Sequence, residues 1–491
     1  MTQSETDVVI IGAGPSGLSA GYELIRQGVS PMIVERTTEV GGLMRSIPKG
    51  AYMLDIGRKE MYSRIPEVVE LWDTLLGEDY RAYPHRVGSL YGGRIVEISG
   101  EYRGLLRGVP LPLLIRGALS LAKGRMLGLV RAPASYEEHW HRKVGAVFSR
   151  LFAQGYWEKF RGTEWREMPV PESAPPGAGA SSASYSQQAV SGALGAGRKA
   201  PASRKNWRHP RLGTGQLFTR LHREIEDAGG HVQFETEVDR IEQQPDGSWA
   251  LDLNRDGTTE RVHARHVISS LSVERLSEVL FRGDAPLLKR SRSRDPVLYE
   301  TRHVLLVYLF IDGAPRFPHA WLEVNDPDLR CGRITNYTAF AGDMVPEGKT
   351  CLCVEFFCSE TADLLGQDDD FLTRAAIEEC NRAGLLDPSE MEGSWVMRLA
   401  RTNAASSWRE LQSEDRRELL DQLKEIPTFF HVNRPGCDWA SLAGLFAGRA
   451  VATGSRAEFD ERADPTQRLP ELPERAPTPP QSEGGDLLQS A

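Results

Sequence analysis

The residue spacing with the clearest chemical meaning lies near the start of the chain, where Gly12, Gly14 and Gly17 follow one another closely. In this spacing the first glycine makes a tight turn, the second lets the backbone approach a diphosphate, and the third lets a helix pack closely on a strand. Glu35 follows about 20 residues later, where a carboxylate can accept hydrogen bonds from ribose hydroxyls. The pattern predicts a binding site for a dinucleotide.

The flanking sequence indicates the elements that must position these residues. Residues 8–11 form an apolar run, which is typical of a parallel strand that is buried on both faces. Pro15 and Ser16 then open a predicted helix, whose free N–H groups would face the diphosphate. A second predicted strand, residues 29–34, ends beside Glu35. The order strand, glycine turn, helix and strand makes the prediction specific.

A second group of residues follows Glu35 and consists of Arg36, Gly41, Gly42, Leu43 and Arg45. With this group the chain resembles the flavoprotein superfamily of amine oxidases, protoporphyrinogen oxidases and phytoene desaturases. The resemblance implies that the glycine pair runs along the diphosphate of FAD and leads toward the flavin. We therefore expect FAD, rather than NAD, to occupy the site.

Two distant segments extend the resemblance. Residues 213–217 match the signature that precedes a helix in this superfamily, and the backbone of Val238 is implied to lie against the adenine. Residues 445–449 look like the terminal strand that returns to the FAD-binding domain, with Gly448 and Arg449 forming a turn beside the cofactor. The resemblance covers roughly residues 7–450, apart from one loop.

The fold class implied by the resemblance is α/β. It combines a Rossmann-type FAD-binding domain, like that of glutathione reductase, with an interleaved mixed α+β substrate domain. A chain of 491 residues is long enough for two such domains. We expect the FAD-binding domain to comprise residues 1–90, 205–280 and 430–460, and the substrate domain to comprise residues 91–170 and 281–429.

Two further segments are expected to lie outside both domains. Residues 171–204 are rich in Pro, Gly, Ala and Ser. They bury too little apolar surface to offset the entropy of ordering, so we expect a flexible loop. The basic end of this loop is a candidate contact for a protein partner. Residues 464–491 have the composition of a disordered tail.

Composition argues against several other classes of protein. The net charge is -9, which disfavours nucleic acid as a partner. The six cysteines are irregularly spaced and match neither a disulfide framework nor a metal site, and Cys351 and Cys353 are expected to be buried. Residues 1–7 are polar and lead straight into the first strand without a signal peptide. We therefore expect a cytoplasmic protein that binds a small-molecule substrate and no metal.

Residues 104–130 are apolar with interspersed arginine and lysine. They contain no run of about 18 apolar residues, so a transmembrane segment is excluded. A helix pair in the core of the substrate domain is the favoured interpretation. A peripheral contact with a membrane surface, in which the long cationic side chains reach the lipid head groups, is the alternative.

The side of the site that would face the flavin ring departs from the superfamily pattern. Relatives carry Gly-Gly-His where this chain has Gly57-Arg58-Lys59, and the long apolar helix that follows their Gly-Arg turn is not recognisable after residue 449. In relatives the N-terminus of that helix points at the flavin and stabilises the reduced ring. We expect Arg58 or Lys59 to supply a positive charge instead, and the reduction potential to be lower than in relatives.

Three functions are compatible with these observations. The favoured hypothesis is an FAD-dependent oxidoreductase that dehydrogenates a small metabolite by hydride transfer to the flavin, with catalytic residues still unassigned. The second is a flavoprotein that resembles the nucleotide-sugar mutases. In it reduced FAD attacks a sugar, and the diphosphate is bound by a basic cluster of Arg81, His85, Arg86 and Arg94. The third is a degenerate flavoprotein fold that serves as a non-catalytic partner or scaffold.

Overall fold

The computed structural model describes residues 3–63, 65–84, 86–98, 108–168, 170, 194, 206–281, 301–359, 361–404 and 414–463. Within these ranges the strands are β1 (Gln3–Ile11), β2 (Met32–Val34), β3 (Ser46–Lys49), β4 (Tyr52–Asp55), β5 (Tyr80–Pro84), β6 (Val87–Tyr91), β7 (Arg94–Glu97), β8 (Asn206–Pro210), β9 (His231–Gln233), β10 (Thr236–Gln243), β11 (Trp249–Arg255), β12 (Thr258–Ser269), β13 (Thr301–Asp312), β14 (Trp321–Val324), β15 (Arg333–Asn336), β16 (Lys349–Cys358), β17 (Met391–Ala404) and β18 (Phe429–His431).

The helices within the same ranges are α1 (Pro15–Arg26), α2 (Pro66–Leu76), α3 (Leu111–Val130), α4 (Tyr136–Val144), α5 (Ala146–Ser149), α6 (Gly155–Arg161), α7 (Gly215–Asp227), α8 (Val273–Phe281), α9 (Tyr337–Phe340), α10 (Asp369–Arg382), α11 (Glu414–Lys424), α12 (Cys437–Thr453) and α13 (Ala457–Arg462). The predicted flexible loop, apart from Leu194, and the predicted tail at residues 464–491 lie outside the described residues.

The first sheet has the strand order β10-β11-β12-β1-β2-β9, with β18 beside β12. Strand β1 runs parallel to both β2 and β12, and its residues Val8, Val9 and Ile10 are fully buried. The beginning of β12 pairs antiparallel with β11, whereas its end pairs parallel with β1 and β18. Helix α1 follows β1 directly. This parallel sheet confirms the Rossmann-type fold that the sequence predicts.

Helix α12 lies along α1 at a distance that only glycine allows. A Cβ atom on Gly444 would lie 2.0 Å from the carbonyl oxygen of Ser16, and one on Gly448 would lie 2.6 Å from that of Ala20. The expected terminal strand at residues 445–449 is therefore wrong, because these residues are helical. The last parallel strand is β18, and the long apolar helix that the sequence did not reveal follows it.

The second sheet has the strand order β17-β13-β16-β15-β14-β6-β7. Residues alternate between its two faces, as expected for strands. Val304, Leu306 and Tyr308 of β13 pack with the helical layer α4–α6, whereas Leu305 and Val307 pack on the face that carries α10. The sheet and its helices form the mixed α+β part of the fold, and the numerical domain limits remain predictions.

Helix α3 is only half packed. It contacts α4 and α5 along one edge, and much of its opposite surface is exposed. The interpretation of residues 104–130 as a core helix pair therefore accounts for one face of this helix and leaves the other unexplained. None of the described helices is long and apolar enough to cross a membrane.

The cysteines are as the sequence predicts. All six are free thiols and five are buried, including Cys351 and Cys353. Burial raises the pKa of both of these thiols, so they remain protonated and unreactive at neutral pH. Among the described residues no group of His, Cys, Asp or Glu could hold a metal ion.

The close contact between α1 and α12 leads to a stability prediction. Gly444→Ala should lower the thermal unfolding midpoint, because overpacking at this contact costs about 1–3 kcal/mol. Gly128→Ala in α3 is the matched control, since the nearest atom to its new Cβ would be 3.8 Å away. That change should leave the midpoint unchanged or raise it slightly, because alanine is the better helix former. Equal midpoints for the two variants, measured by circular dichroism, would show that α1 and α12 are not in such close contact.

Candidate functional site

The turn between β1 and α1 leaves open space on one side. Gly12 has a φ of +95°, and a Cβ there would lie 2.3 Å from the Oγ of Ser270. A Cβ on Gly17 would lie 1.8 Å from the Gly12 carbonyl oxygen, whereas a Cβ on Gly14 would meet no atom within 4 Å. Gly12 and Gly17 are thus required by the protein's own packing. The space beside Gly14 is where the sequence places a diphosphate.

The N-terminus of α1 faces this space without a side-chain cap. Pro15 occupies the first turn, and the hydroxyl of Ser16 donates to the carbonyl oxygen of Val432 at 2.9 Å. The backbone N–H groups of this turn therefore remain suited to an anion, as at other phosphate-binding helix termini. The contact of Ser16 with Val432 also fixes the segment that precedes α12 beside the turn.

Glu35 is held at the end of β2. It is 8% exposed, and its carboxylate accepts hydrogen bonds from the Ala13 N–H at 2.9 Å and from the hydroxyl of Thr37 at 2.8 Å. These donors fix the carboxylate at the edge of the glycine turn, where it has acceptor capacity left for ribose hydroxyls. Arg36 is exposed beside it.

The second glycine pair packs against the first glycine turn. The Gly41 N–H donates to the Ala13 carbonyl at 2.8 Å, and a Cβ on Gly42 would lie 3.4 Å from the Cα of Gly14. Both Gly41 and Gly42 have positive φ angles, which favour glycine. The two loops therefore lie against each other and border the open space beside Gly14, which we call the glycine cleft. Leu43 and Arg45 follow directly, and Arg45 donates to the Gly42 carbonyl at 2.9 Å.

Val238 lies on the other side of Glu35. It is buried in strand β10. Thr236 begins this strand, and its N–H donates to the Glu35 carbonyl at 2.9 Å. The Val238 carbonyl accepts a hydrogen bond from Arg275 at 3.2 Å, next to a bulge in the strand. The structure thus brings Val238 near Glu35, as expected if both contact the adenosine half of a cofactor.

Gly448 and Arg449 do not form a turn at the cleft, so this expectation is wrong. Both residues lie within α12. Gly448 packs on α1, and Arg449 forms ion pairs with Glu23 at 3.2 Å and with Glu458 at 3.4 Å. Their role is to hold the two helices together.

A continuous path of contacts leads from the glycine cleft toward the second sheet. The hydroxyl of Thr214 donates to the Met44 carbonyl at 2.7 Å, and the Thr214 N–H donates to the carboxylate of Asp55 at 2.9 Å. The Asp55 carboxylate also accepts from the hydroxyl of Ser46, and His209 Nε2 lies 3.1 Å from its other oxygen. The signature at residues 213–217 therefore positions the segment that follows Asp55.

Residues Gly57–Lys59 follow strand β4, which pairs with β3 in a two-stranded sheet, and cross to the second sheet, which holds them. The hydroxyl of Tyr308 donates to the Asp55 carbonyl at 2.7 Å and accepts from the Gly57 N–H at 3.1 Å. The hydroxyl of Tyr337 lies 2.9 Å from the Gly57 carbonyl. Burial raises the pKa of both tyrosines, so they remain hydrogen-bond donors at neutral pH.

Glu355 and Arg333 form a buried ion pair beneath this crossing. The guanidinium of Arg333 makes two hydrogen bonds to the carboxylate, at 2.9 and 2.5 Å, and a third to the hydroxyl of Tyr156 at 3.1 Å. The Arg58 N–H donates to Glu355 at 3.1 Å. Burial opposes ionisation of Glu355, but Arg333 and the Arg58 N–H hold its pKa below the usual range.

The side chains of Arg58 and Lys59 have different surroundings. The Arg58 guanidinium lies 4.5 Å from the centre of the Trp321 ring and pairs with Glu60 at 3.2 Å. Lys59 is partly buried between the two sheets. Burial lowers its pKa to about 8, although Glu355 acts in the opposite direction.

The N-terminus of α12 lies near the same place. Cys437, the first residue of α12, packs against the buried cluster that contains Met61, two residues after Lys59. No side chain caps this helix, and Gly436 precedes it with a φ of +85°. The N-terminus of α12 and Lys59 therefore lie in the same region of the fold, where we expect the flavin ring. The expectation that this helix is missing is wrong. The prediction of a lower reduction potential rested on the missing helix and therefore loses that basis.

Several residues of this region were not recognised in the sequence as a group. Glu355 is the one charged residue in the otherwise apolar stretch 350–357, and such a residue in a buried strand requires a partner. That partner, Arg333, lies on the neighbouring strand β15. Tyr308, Tyr337 and His209 likewise reach Asp55 from distant parts of the chain. The single charge of Glu355 in a buried strand was the sequence signal that could have indicated an ion pair here.

Comparison with known proteins identifies the family. The family described as flavin containing amine oxidoreductase matches residues 15–383. The chain belongs to this family. Its cofactor is FAD, and the glycine cleft, Glu35 and the uncapped helix termini fit such a group. The arrangement is that of an FAD-dependent oxidoreductase.

Solved structures with the same fold include several flavoproteins of this and related groups. Reduced UDP-galactopyranose mutase aligns with a TM-score of 0.72 and 17% identity, over 94% of this chain and 98% of that one. A putative protoporphyrinogen oxidase from Exiguobacterium sp. 255-15 gives a TM-score of 0.65 and 15% identity, over 93% and 100%. Putrescine oxidase bound to putrescine gives 0.57 and 15%, over 92% and 100%. At these identities the likeness establishes the fold alone.

Curated relatives match over short segments. Protoporphyrinogen oxidase 2 of Arabidopsis thaliana is 35% identical over 77 residues, which is 16% of this chain and 15% of that protein. Thiamine thiazole synthase of Saccharolobus islandicus is 55% identical over 38 residues, or 8% and 14% of the two chains. The match therefore spans about one seventh of these relatives. A match over such short segments does not establish that this protein shares the substrates of these relatives.

The open space at Gly14 leads to a prediction for cofactor binding. Gly14→Val should abolish FAD uptake, because the side chain would fill the space beside the glycine turn. The fold should survive, since Gly14 has an extended backbone with φ of -84° and no atom within 4 Å of the new Cβ. Flavin absorbance per protein and the unfolding midpoint of the apoprotein give the two measurements. Full FAD content in the variant would show that the diphosphate lies elsewhere.

Lys59 leads to a pH-dependent prediction. Lys59→Met should lower the two-electron reduction potential of bound FAD near neutral pH, because a cation stabilises the negative charge of reduced flavin. The shift should be about 30 mV for each 1.4 kcal/mol of lost stabilisation. Since its pKa is lowered to about 8, Lys59 carries its charge below that pH and loses it above. The difference between wild type and variant should therefore shrink in alkaline solution.

Lys59→Arg is the matched control, because arginine keeps its charge throughout this range. Its potential should stay close to that of the wild type near neutral pH and exceed it in alkaline solution. Spectroelectrochemical titration of the three proteins measures these potentials. If Lys59→Met has the wild-type potential at every pH, Lys59 does not face the flavin ring.

Proposed function

We propose that this chain oxidises a small metabolite by hydride transfer from a C–H bond next to nitrogen, oxygen or an alkene to FAD. The observation that carries the proposal is the path of contacts that leads from the glycine cleft through Asp55 to the Gly57–Lys59 segment, with the N-terminus of α12 in the same region. It supports the presence of both halves of a flavin site. This favours a working cofactor over a degenerate fold.

The binding roles that we propose for the protein follow from the geometry. Gly14 and Gly42 face the diphosphate, and the N–H groups of α1 neutralise part of its charge. Glu35 accepts hydrogen bonds from the ribose, and the backbone of Val238 borders the adenine. The remaining candidate contacts are Gly12, Pro15, Ser16, Gly17, Arg36, Gly41, Leu43 and Arg45.

The protein also shapes the place where chemistry occurs. FAD, when bound, supplies the hydride acceptor. Lys59 and the N-terminus of α12 place positive potential beside the flavin ring. Tyr308 and Tyr337 hold the Gly57–Lys59 segment in place, beside the Arg333–Glu355 pair. We infer that the substrate approaches the flavin from this side.

A mutase function receives less support from the described residues. Its proposed basic cluster does not converge, because Arg81 pairs with Asp343 at 3.1 Å and Arg86 pairs with Glu97 at 2.8 Å. Arg94 begins strand β7, and His85 lies outside the described residues. Arg333, which is near the crossing, is engaged by Glu355. The fold shared with UDP-galactopyranose mutase keeps this function as the second candidate.

An anaerobic reduction experiment tests the proposed function. The purified holoprotein should be yellow, and its absorbance near the flavin maximum should bleach on addition of a substrate amine, alcohol or alkene from a graded panel. Re-admission of oxygen or an artificial electron acceptor should restore the absorbance. Dithionite provides the control for reducible flavin.

Two outcomes would contradict the proposal. FAD that dithionite cannot reduce would favour the scaffold hypothesis. Turnover of a nucleotide sugar by the pre-reduced protein, without net flavin oxidation, would establish the mutase instead. The expected location in the cytoplasm and a protein partner at residues 171–204 remain predictions.

A further inference from the structure

Helix α3 carries an unusual concentration of exposed apolar side chains. Of the nine large apolar residues that are exposed in the described part of the chain, seven lie on this one helix. Their exposed fractions reach 67% for Leu119, 68% for Met126 and 89% for Leu129. An apolar surface of this kind usually marks an interaction site.

The exposed residues share one face of the helix. With 3.6 residues per turn, an arc of about 120° contains all but one of the seven large side chains together with two alanines. The side chains of this apolar face are Leu111, Ile115, Ala118, Leu119, Ala122, Met126, Leu129 and Val130. Every member is exposed. The face runs the full length of the helix.

The opposite edge of α3 fixes the helix on the protein. A Cβ on Gly117 would lie 2.3 Å from the ring of Phe148, and one on Gly124 would lie 2.2 Å from the carbonyl oxygen of His141. The backbone of α3 thus sits directly on α4 and α5. This contact fixes the orientation of the helix. The apolar face therefore points outward because of how α3 packs, and not because the helix is loosely attached.

Positive charges border the apolar face on both sides. Arg125 lies along one border, and Lys123 and Arg116 lie along the other, all of them exposed. Arg125 also donates to the Leu194 carbonyl at 3.0 Å. Residues 108–136 contain no Asp or Glu, although the whole chain has a net charge of -9. The charge of this surface is therefore opposite to that of the protein as a whole.

A groove at the start of α3 adds one more cationic side chain, that of Arg94, to the same surface. It has a volume of about 270 Å³ and is lined by Tyr91, Arg94, Val96, Leu113, Arg116 and Leu151. Two arginines thus line an otherwise largely apolar groove. Such a combination suits an anionic head group attached to a hydrocarbon chain.

We propose that α3 docks this protein on an anionic lipid bilayer, lying in the plane of the interface. The apolar face enters the boundary between head groups and acyl chains, and Arg116, Lys123 and Arg125 reach the lipid phosphates. A second copy of the chain fits less well. In a two-fold symmetric dimer the same patch meets itself, so these cationic borders would face one another.

Vesicle co-sedimentation with the FAD-loaded full-length chain tests the proposal. The wild type should sediment with vesicles that contain phosphatidylglycerol, less with pure phosphatidylcholine, and less again at high salt. Ile115→Glu combined with Leu119→Glu should reduce binding by about tenfold or more, since charge would enter the apolar face. Arg374→Glu in α10 is the matched control, because it changes the net charge by the same amount at an exposed site elsewhere.

A second variant separates charge from insertion. Replacing Arg116, Lys123 and Arg125 together by Gln should remove the preference for phosphatidylglycerol and the salt dependence. Unchanged FAD content in all variants confirms that they are folded. The proposal is overturned if the wild type stays in the supernatant with both kinds of vesicle, or if the Ile115 and Leu119 changes leave binding intact. It is also overturned if those changes only convert a dimer to a monomer in size-exclusion chromatography.

Discussion

Asp55, at the end of strand β4, joins several separate parts of the fold. Its buried carboxylate accepts hydrogen bonds from Ser46 in β3 and from Thr214 before α7, and lies 3.1 Å from His209 in β8. Its backbone carbonyl accepts from Tyr308 in β13 and from Tyr337, which follows β15. A buried charge is tolerated only with such a complete set of partners. The direction of the chain after Asp55, and with it the place of Lys59, depends on this one residue.

In the proposed site, two sources of positive potential lie on the ring side of the cofactor. One is the N-terminus of α12, whose partial charge is fixed by the backbone. The other is the side chain of Lys59, whose charge depends on pH. Arg58, the neighbouring candidate, is already engaged by Trp321 and Glu60. The helix dipole would stabilise the reduced flavin at every pH. The charge of Lys59 would add a stabilisation that decreases as the pH rises.

Local patterns in the sequence predicted the glycine turn and the position of Glu35, which the structure brings together. The turn from Gly12 to Gly17 and the place of Glu35 depend on residues close together in the chain, so spacing alone identified them. Helix α12 was missed because the short apolar run before Gly448 is equally compatible with a strand. Its start is also hidden, since Gly436 stands where a capping Ser, Thr or Asp would mark a helix. The Arg333–Glu355 pair joins separate strands, and no local pattern encodes such a contact.

The hydrogen bond from Ser16 to Val432 joins residues that are 416 positions apart. Likewise, β12 must be made before it can cover the apolar surface of strand β1, and α12 must be made before it can cover that of α1. At about 5–20 residues per second, a ribosome needs roughly 20–90 s to make the intervening chain. During that time the residues of the glycine turn have been synthesised, but the elements that hold the turn open have not. The cleft can therefore receive its cofactor only late in biosynthesis, after α12 has been made.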